Sequence, residues 1–191
     1  MIKELVERSR SYRSFAPDTV ISEEILLDMV DIARKCSAAM NTQVLKYRIV
    51  TEANEKSDLL KITRWATRLG IELPPKDHEP SAYIVICHDE DIAPFKPIFL
   101  YVVGICSQTI MLAAAERGLG GCIIGSASET NIKNVLGLDE NLSPKLIIAL
   151  GKPDEKVVLE EAEKGDTAYY RDENGTHHAP KRPLEEIIIK K

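Results

Sequence analysis

Residues 98–115, IFLYVVGICSQTIMLAAA, carry no formal charge, and Glu116 and Arg117 follow directly. As a helix this stretch just reaches the length of a bilayer span. Gly104, Ser107, Gln108 and Thr109 dilute it, and no other segment has membrane character. A helix apolar on all sides belongs at the centre of a globular core. The spacing therefore predicts one long core helix running to about Arg117 and closed by Gly118. With 191 residues, 44% of them hydrophobic, the chain can pack one core around that helix, as a single domain over 1–191.

The other elements follow from local signals. Residues 1–9 read as a short helix with no secretory-signal character. Ser22 is an N-cap for a helix over 22–36, with Glu23 and Glu24 in its first turn and Ile25, Leu26, Met29, Val30 and Ala33 on one face. LKYRIVT (45–51) alternates as a strand. Leu59, Ile62, Ala66 and Leu69 predict a helix over 55–69, stopped by Gly70. Residues 71–80 form a Pro-rich loop. AYIVICH (82–88), GCIIG (121–125) and KLIIALG (145–151) read as buried strands, with a short helix at 129–137. VVLEE (157–161) is another strand. Asn174-Gly175 predicts a hairpin between AYYRDE and THH. LEEIII is either helix or strand. The pattern is mixed, with helices and strands in one α+β domain.

Three arginines, Arg8, Arg10 and Arg13, fall within six residues and alternate with Ser9 and Ser11. Guanidinium forks and hydroxyls suit a phosphate monoester. The whole chain is acidic, with a net charge of −5. A local basic cluster on an acidic protein points to one small anionic ligand rather than to nucleic acid. The same residues also fit a solvated arginine face. The run GLGGCIIG (118–125) is not a dinucleotide fingerprint, because here the glycines follow a helix and open a strand. Its glycines leave a backbone that a flat ligand could approach closely. The four cysteines, 36, 87, 106 and 122, match no zinc spacing and read as buried, reduced thiols of a cytoplasmic protein. His177 and His178 are adjacent in a strand, so they face opposite ways and cannot readily share a metal. No nucleophilic triad motif accompanies His88.

Three segments in order resemble the FMN-dependent nitroreductase family, in a short-chain branch: RSYRSF (10–15), SAAMNTQ (37–43) and GLGGCIIG. The tail YYRDENGTHHAPKRPLEE is similar as well. The resemblance implies a central, mostly antiparallel sheet flanked by helices, in a homodimer with flavin at the interface and a C-terminal segment embracing the partner. It implies that Arg10, Ser11 and Arg13 hold the FMN phosphate and ribityl chain. Lys181 and Arg182, before the last strand, complete that grip. Ser37, Ala38, Ala39 and Asn41, with Gln43 nearby, approach the ring from the partner subunit. Ile123, Ile124 and Gly125 lie along the glycine loop, and the backbone at Ile124 and Gly125 donates toward flavin N5. The implied activity passes a hydride from NAD(P)H to an electron-poor small molecule, such as a nitro compound or quinone, by ping-pong turnover. No acid or base residue and no metal is required. Ser9, Ala38, Met40 and Val44-Leu45 depart from the common pattern. Two alternatives stand beside this reading: a flavin-binding protein without NAD(P)H turnover, and an α/β protein that binds another phosphorylated metabolite.

Overall fold

The computed structural model describes residues 1–189, so the final two residues of the LEEIIIKK tail lie outside the described residues. The elements in order are α1 (Ile2–Arg8), α2 (Glu23–Ala33), β1 (Leu45–Val50), α3 (Ala53–Ile62), β2 (Ala82–Asp89), α4 (Phe99–Glu116), β3 (Gly120–Ile124), α5 (Glu129–Leu136), β4 (Leu142–Gly151), β5 (Val157–Glu161), β6 (Tyr170–Arg171), β7 (His177–Lys181) and α6 (Leu184–Ile187).

Every residue of β2 is buried, because helices cover both faces of the sheet it centres. The sheet is antiparallel throughout, with order β1-β2-β4-β3. Side chains alternate between its faces. Ala82, Ile84, Ile86, Ile148 and Leu150 pack on α2 and α4. Tyr83, Val85, Cys87, Ile147 and Ala149 pack on Phe15, Leu59 of α3, Trp65 and the α5 residues Ile132 and Leu136. A smaller sheet, β5-β7-β6, stands apart from the main one and pairs β5 with β7 in parallel. The expected hairpin joins β6 to β7. Asp172 Oδ1 accepts the backbone N–H groups of Asn174 and Thr176 at 3.0 and 2.8 Å, and Gly175 supplies the left-handed φ of 77°.

Three expectations are corrected. The helix over 55–69 ends at Ile62. Thr63 turns extended and accepts Trp65 Nε1–H at 2.9 Å, which lets the indole enter the core. Only a single 3-10 turn follows, at Thr67–Leu69. Secondly, α4 is not enclosed on all sides. Phe99, Val102, Val103, Cys106, Ile110 and Met111 are buried, whereas Leu100, Ile105 and the 73%-exposed Tyr101 form an open apolar row. By length and composition α4 could cross a membrane, but 56% of it is buried against the protein. Its buried Ser107 hydroxyl donates to Val103 O at 2.7 Å and is satisfied within the helix. Thirdly, Lys181 closes β7, and the residues beyond it form α6, so no strand follows the Lys181-Arg182 pair among the described residues.

Candidate functional site

The arginine-rich segment runs beside the free edge of β3. Tyr12 N–H donates to Gly121 O at 2.9 Å, making Ser11 and Gly121 bridge partners. Phe15, fully buried, anchors the far end of the segment. Each arginine then has a different task. Arg8 donates to Ala115 O at 2.6 Å and satisfies a carbonyl in the last turn of α4, so its role is structural. Arg10 donates through Nη2 to Val6 O, but its Nε is buried with no partner. Burial holds its guanidinium below the ordinary arginine range. Arg13 lies over the Tyr169 ring, 5.5 Å from its centre, and its Nη1 is 3.4 Å from His177 Nε2. The backbone N–H of Arg13 donates to buried Glu155, and that carboxylate is ion-paired with Arg171. Glu155 therefore positions Arg13 while its charge is answered by Arg171.

Arg10, Ser11, Arg13 and Lys181 line one pocket of about 170 Å³, closed by Tyr169 and His177. Among the described residues none of its three cations is in an ion pair. An unneutralised cluster with a buried, unpartnered N–H suits an anion with several acceptor oxygens. Arg182 is turned away, with Nη1 3.3 Å from Glu186.

Arg13 and Tyr169 also border a larger pocket of about 490 Å³, whose floor is Cys122–Ser126. Side chains alternate along β3: Cys122 and Ile124 are buried and Ile123 is exposed. Backbone groups alternate too. Gly121 presents its carbonyl to Tyr12, away from β4, so Ile123 shares that outward row and Gly125 continues it just past the strand end. Gly125 also has room, since a Cβ there would meet only Leu146 Cδ2, at 3.5 Å. The preceding glycines have another purpose. A Cβ on Gly120 would sit 2.5 Å from the Tyr12 ring, and one on Gly121 would sit 2.2 Å from Ala149 O. They are glycines because the protein's own chain approaches there, which corrects the expectation of open backbone at those two positions.

The far wall of this pocket holds residues that the sequence reading passed over: Arg64, Trp65 and Thr67. Ser126 clamps this segment from both sides. Its Oγ accepts Arg64 N–H at 2.9 Å and donates to Arg64 O at 3.0 Å. The only tryptophan of the chain, between an arginine and Ala66 in a left-handed turn (φ 38°), was the available signal.

Ser37, Ala38, Ala39, Asn41 and Gln43 stand elsewhere. They follow α2, and Ala38 and Gln43 line a separate small pocket against Tyr47 and α4. Met40, Asn41 and Gln43 all have left-handed φ, from 52° to 53°. Three such non-glycine residues in four positions store backbone strain of a kind concentrated at ligand-binding segments. Within one chain the structure brings the 10–13, 123–125 and Lys181 groups together, and the 37–43 group apart from them.

The two adjacent histidines face opposite ways, as their strand position requires. His178 lies between Glu160, at 2.9 Å, and Asp172, at 3.3 Å, and stacks on Tyr170; the carboxylates hold its pKa above the ordinary value. His177 is 3% exposed, and burial, with Arg13, Arg171 and His178 nearby, pushes its pKa down to about 4. Its unfolded value is higher, about 6.5. The unfolded chain therefore binds the proton first, and stability falls as pH drops from about 6.5 toward 4. Between pH 6.5 and 5 the loss is on the order of 1–2 kcal/mol. Thermal melts of wild type and His177→Gln should show the acid limb flattened in the variant; parallel limbs would remove His177 as its source.

The nitroreductase family model matches residues 93–152, which span α4, β3, α5 and β4. The chain as a whole has the nitroreductase fold. A nitroreductase family protein from Streptococcus pneumoniae is 18% identical, with 100% of both chains covered and a TM-score of 0.75. A protein from Staphylococcus epidermidis described as an NAD(P)H:FMN oxidoreductase is 16% identical, over 100% of this chain and 96% of that one, with a TM-score of 0.74. An FMN-dependent nitroreductase from Clostridium difficile is 21% identical, over 86% of this chain and 92% of that one, with a TM-score of 0.67.

Proposed function

We propose that this chain, whose residues 93–152 match the nitroreductase family model and whose fold is that of nitroreductases, is an FMN-dependent NAD(P)H oxidoreductase. The observation that carries the proposal is the joined pair of pockets. The smaller offers Arg10, Arg13 and Lys181, uncommitted to carboxylates, and the larger offers an apolar strand edge with outward backbone groups. Those residues fit FMN, an anionic phosphate on a polar chain that ends in a flat ring system.

When bound, FMN supplies the hydride chemistry, so the protein needs no nucleophile or metal of its own. Arg10 and Arg13 grip the phosphate, Ser11 donates beside it, and Lys181 adds charge at the rim. The Tyr169 ring, 5.5 Å from the Arg13 guanidinium, backs that fork for two-point contact. His177 stays neutral at physiological pH because it is buried, with Arg13 and Arg171 nearby, so it can accept from Arg13 without competing for the phosphate. The outward backbone N–H groups of Ile123 and Gly125 would meet the ring's reactive edge. Fixed donors there favour negative charge that develops on the ring. Alternation makes Gly125, rather than the ladder-facing Ile124, the leading donor. Arg64, fastened by Ser126, supplies a cation on the opposite wall.

The partner side is completed by a second copy. The exposed row Leu100, Tyr101 and Ile105 on α4 supports a homodimer, since such a row is normally covered. In that dimer Ser37, Ala38, Ala39 and Asn41, with Gln43, reach the partner's ring, and the strained 40–43 turn presents them. NAD(P)H and the electron-poor acceptor then occupy the same open pocket in turn. Anaerobic mixing with NADH and, separately, NADPH tests the reading: the flavin absorbance near 450 nm should bleach within about a second, the timescale of ordinary enzyme turnover, and recover on adding a quinone. Flavin that binds but is bleached by neither donor would favour a flavin-binding protein without turnover.

A further inference from the structure

We propose that Cys36 and Cys106 are a peroxide-sensitive thiol pair that closes to a disulfide between the end of α2 and the middle of α4. Both side chains converge on one spot where these helices meet. Cys36 N–H donates to Ala33 O at 3.0 Å, and the Cys106 thiol donates to that same carbonyl at 3.5 Å. The Cys36 sulfur lies 3.1 Å from Thr109 Oγ1, and Thr109 is one helical turn along α4 from Cys106. Two contacts between the helices and one shared acceptor therefore bring both sulfurs into one neighbourhood. Both also line a pocket of about 100 Å³ with Tyr47 and Ala38. Lining one small pocket is the precondition for a disulfide, whose Cβ atoms sit roughly 3.5–4.5 Å apart. The remaining cysteines, Cys87 and Cys122, lie on the opposite face of the sheet.

The two thiols are not equivalent. Cys36 is partly exposed and meets the oxidant, whereas Cys106 is 3% exposed and burial raises its thiol pKa. Cys36 is thus the attacking group and Cys106 the resolving one. The Cys36 thiolate attacks one oxygen of hydrogen peroxide, the O–O bond breaks, and Cys36 becomes a sulfenic acid as hydroxide leaves. Cys106 sulfur then attacks the Cys36 sulfur, the S–S bond forms and the S–O bond breaks. The sulfenic oxygen leaves as water with the Cys106 proton. The pair loses two electrons, and peroxide is reduced to two waters once the hydroxide is protonated. The bond ties the root of the strained 37–43 turn to α4. Exchange with a small dithiol reverses it.

The test uses the full-length protein, treated with a small molar excess of hydrogen peroxide, freed of peroxide, denatured in an alkylating agent and mapped by mass spectrometry without reduction. The expected product is a Cys36–Cys106 linked peptide, with two of the four thiols protected from alkylation and both recovered after dithiothreitol. Cys106→Ala should instead stop at a sulfenic acid on Cys36 that dimedone traps. Cys36→Ala should leave Cys106 alkylatable. The proposal is overturned if all four thiols of the wild type remain alkylatable. It is equally overturned if Cys36 proceeds to sulfinic acid, or crosslinks to a second chain, while Cys106 stays free. Because the wild-type map decides the matter, a variant that folds poorly does not rescue the proposal.

Discussion

Arg13→Ala is expected to purify nearly colourless. The substitution removes a guanidinium that borders both pockets, yet it leaves the backbone N–H that donates to Glu155, so the segment keeps its place. A charge-assisted hydrogen bond contributes roughly 1.5–3 kcal/mol, and a two-point grip sits at the upper end of that range. FMN should then bind about 30- to 150-fold more weakly, measured by fluorescence titration of the flavin-free protein. Arg13→Lys keeps the charge but loses the fork and the contact with Tyr169, and should fall between wild type and Ala. Lys181→Ala, at an exposed rim position, should cost less than either. An Arg13→Ala protein with wild-type flavin affinity would remove the phosphate site from the account.

Gly121→Ala is the substitution expected to damage the fold most. Its Cβ would lie 2.2 Å from the Ala149 carbonyl oxygen and 3.1 Å from both Leu150 Cδ2 and Met111 Sδ. The first of these is backbone in the middle of the sheet and cannot rotate away. Overpacking costs typically about 1–3 kcal/mol and more where backbone must shift; at about 3 kcal/mol a chain of this length loses roughly 6–12 °C in Tm. Gly125→Ala, four residues along, meets only Leu146 at 3.5 Å and should melt within about 2 °C of wild type. The pair separates the two uses of glycine in one loop. Equal melting temperatures for the two variants would show that the β3 edge relaxes freely.

Those glycines also illustrate how far the amino-acid sequence could be read. The run GLGGCIIG announces a place where backbone comes close to something, but only the fold shows that Tyr12 and Ala149 are what comes close. The long uncharged segment, the buried strands and the Asn174-Gly175 hairpin were legible because each is a local pattern of apolar spacing or turn chemistry. The helix over 55–69 overran for the opposite reason. Its apolar spacing continues through Ala66 and Leu69, while the chain is pulled out of the helix by distant partners: Ser126 on Arg64, and the core that receives Trp65. Nothing within a helical window encodes those contacts.

The phosphate grip was partly legible. An arginine-serine alternation on an acidic chain already suggests one small anion, but the division of labour does not follow from spacing. Arg8 goes to the end of α4, Arg10 keeps an unpartnered Nε, and Arg13 is freed because Arg171 answers Glu155 from 16 positions further along the chain. Arg182 looked equivalent to Lys181 in sequence and is not, since a pairing one helical turn on, with Glu186, takes it away from the pocket. The 37–43 segment carries its signal in backbone conformation, which no side-chain pattern reveals at Met40.

The most direct measurement is the visible spectrum of the purified full-length protein, followed by denaturation and identification of the released chromophore. The account predicts absorbance near 450 nm and FMN at about one per chain, with two chains per particle by light scattering. A colourless protein that takes up no FMN when the cofactor is added would contradict it, and the basic pocket at Arg10, Arg13 and Lys181 would then belong to a different phosphorylated ligand.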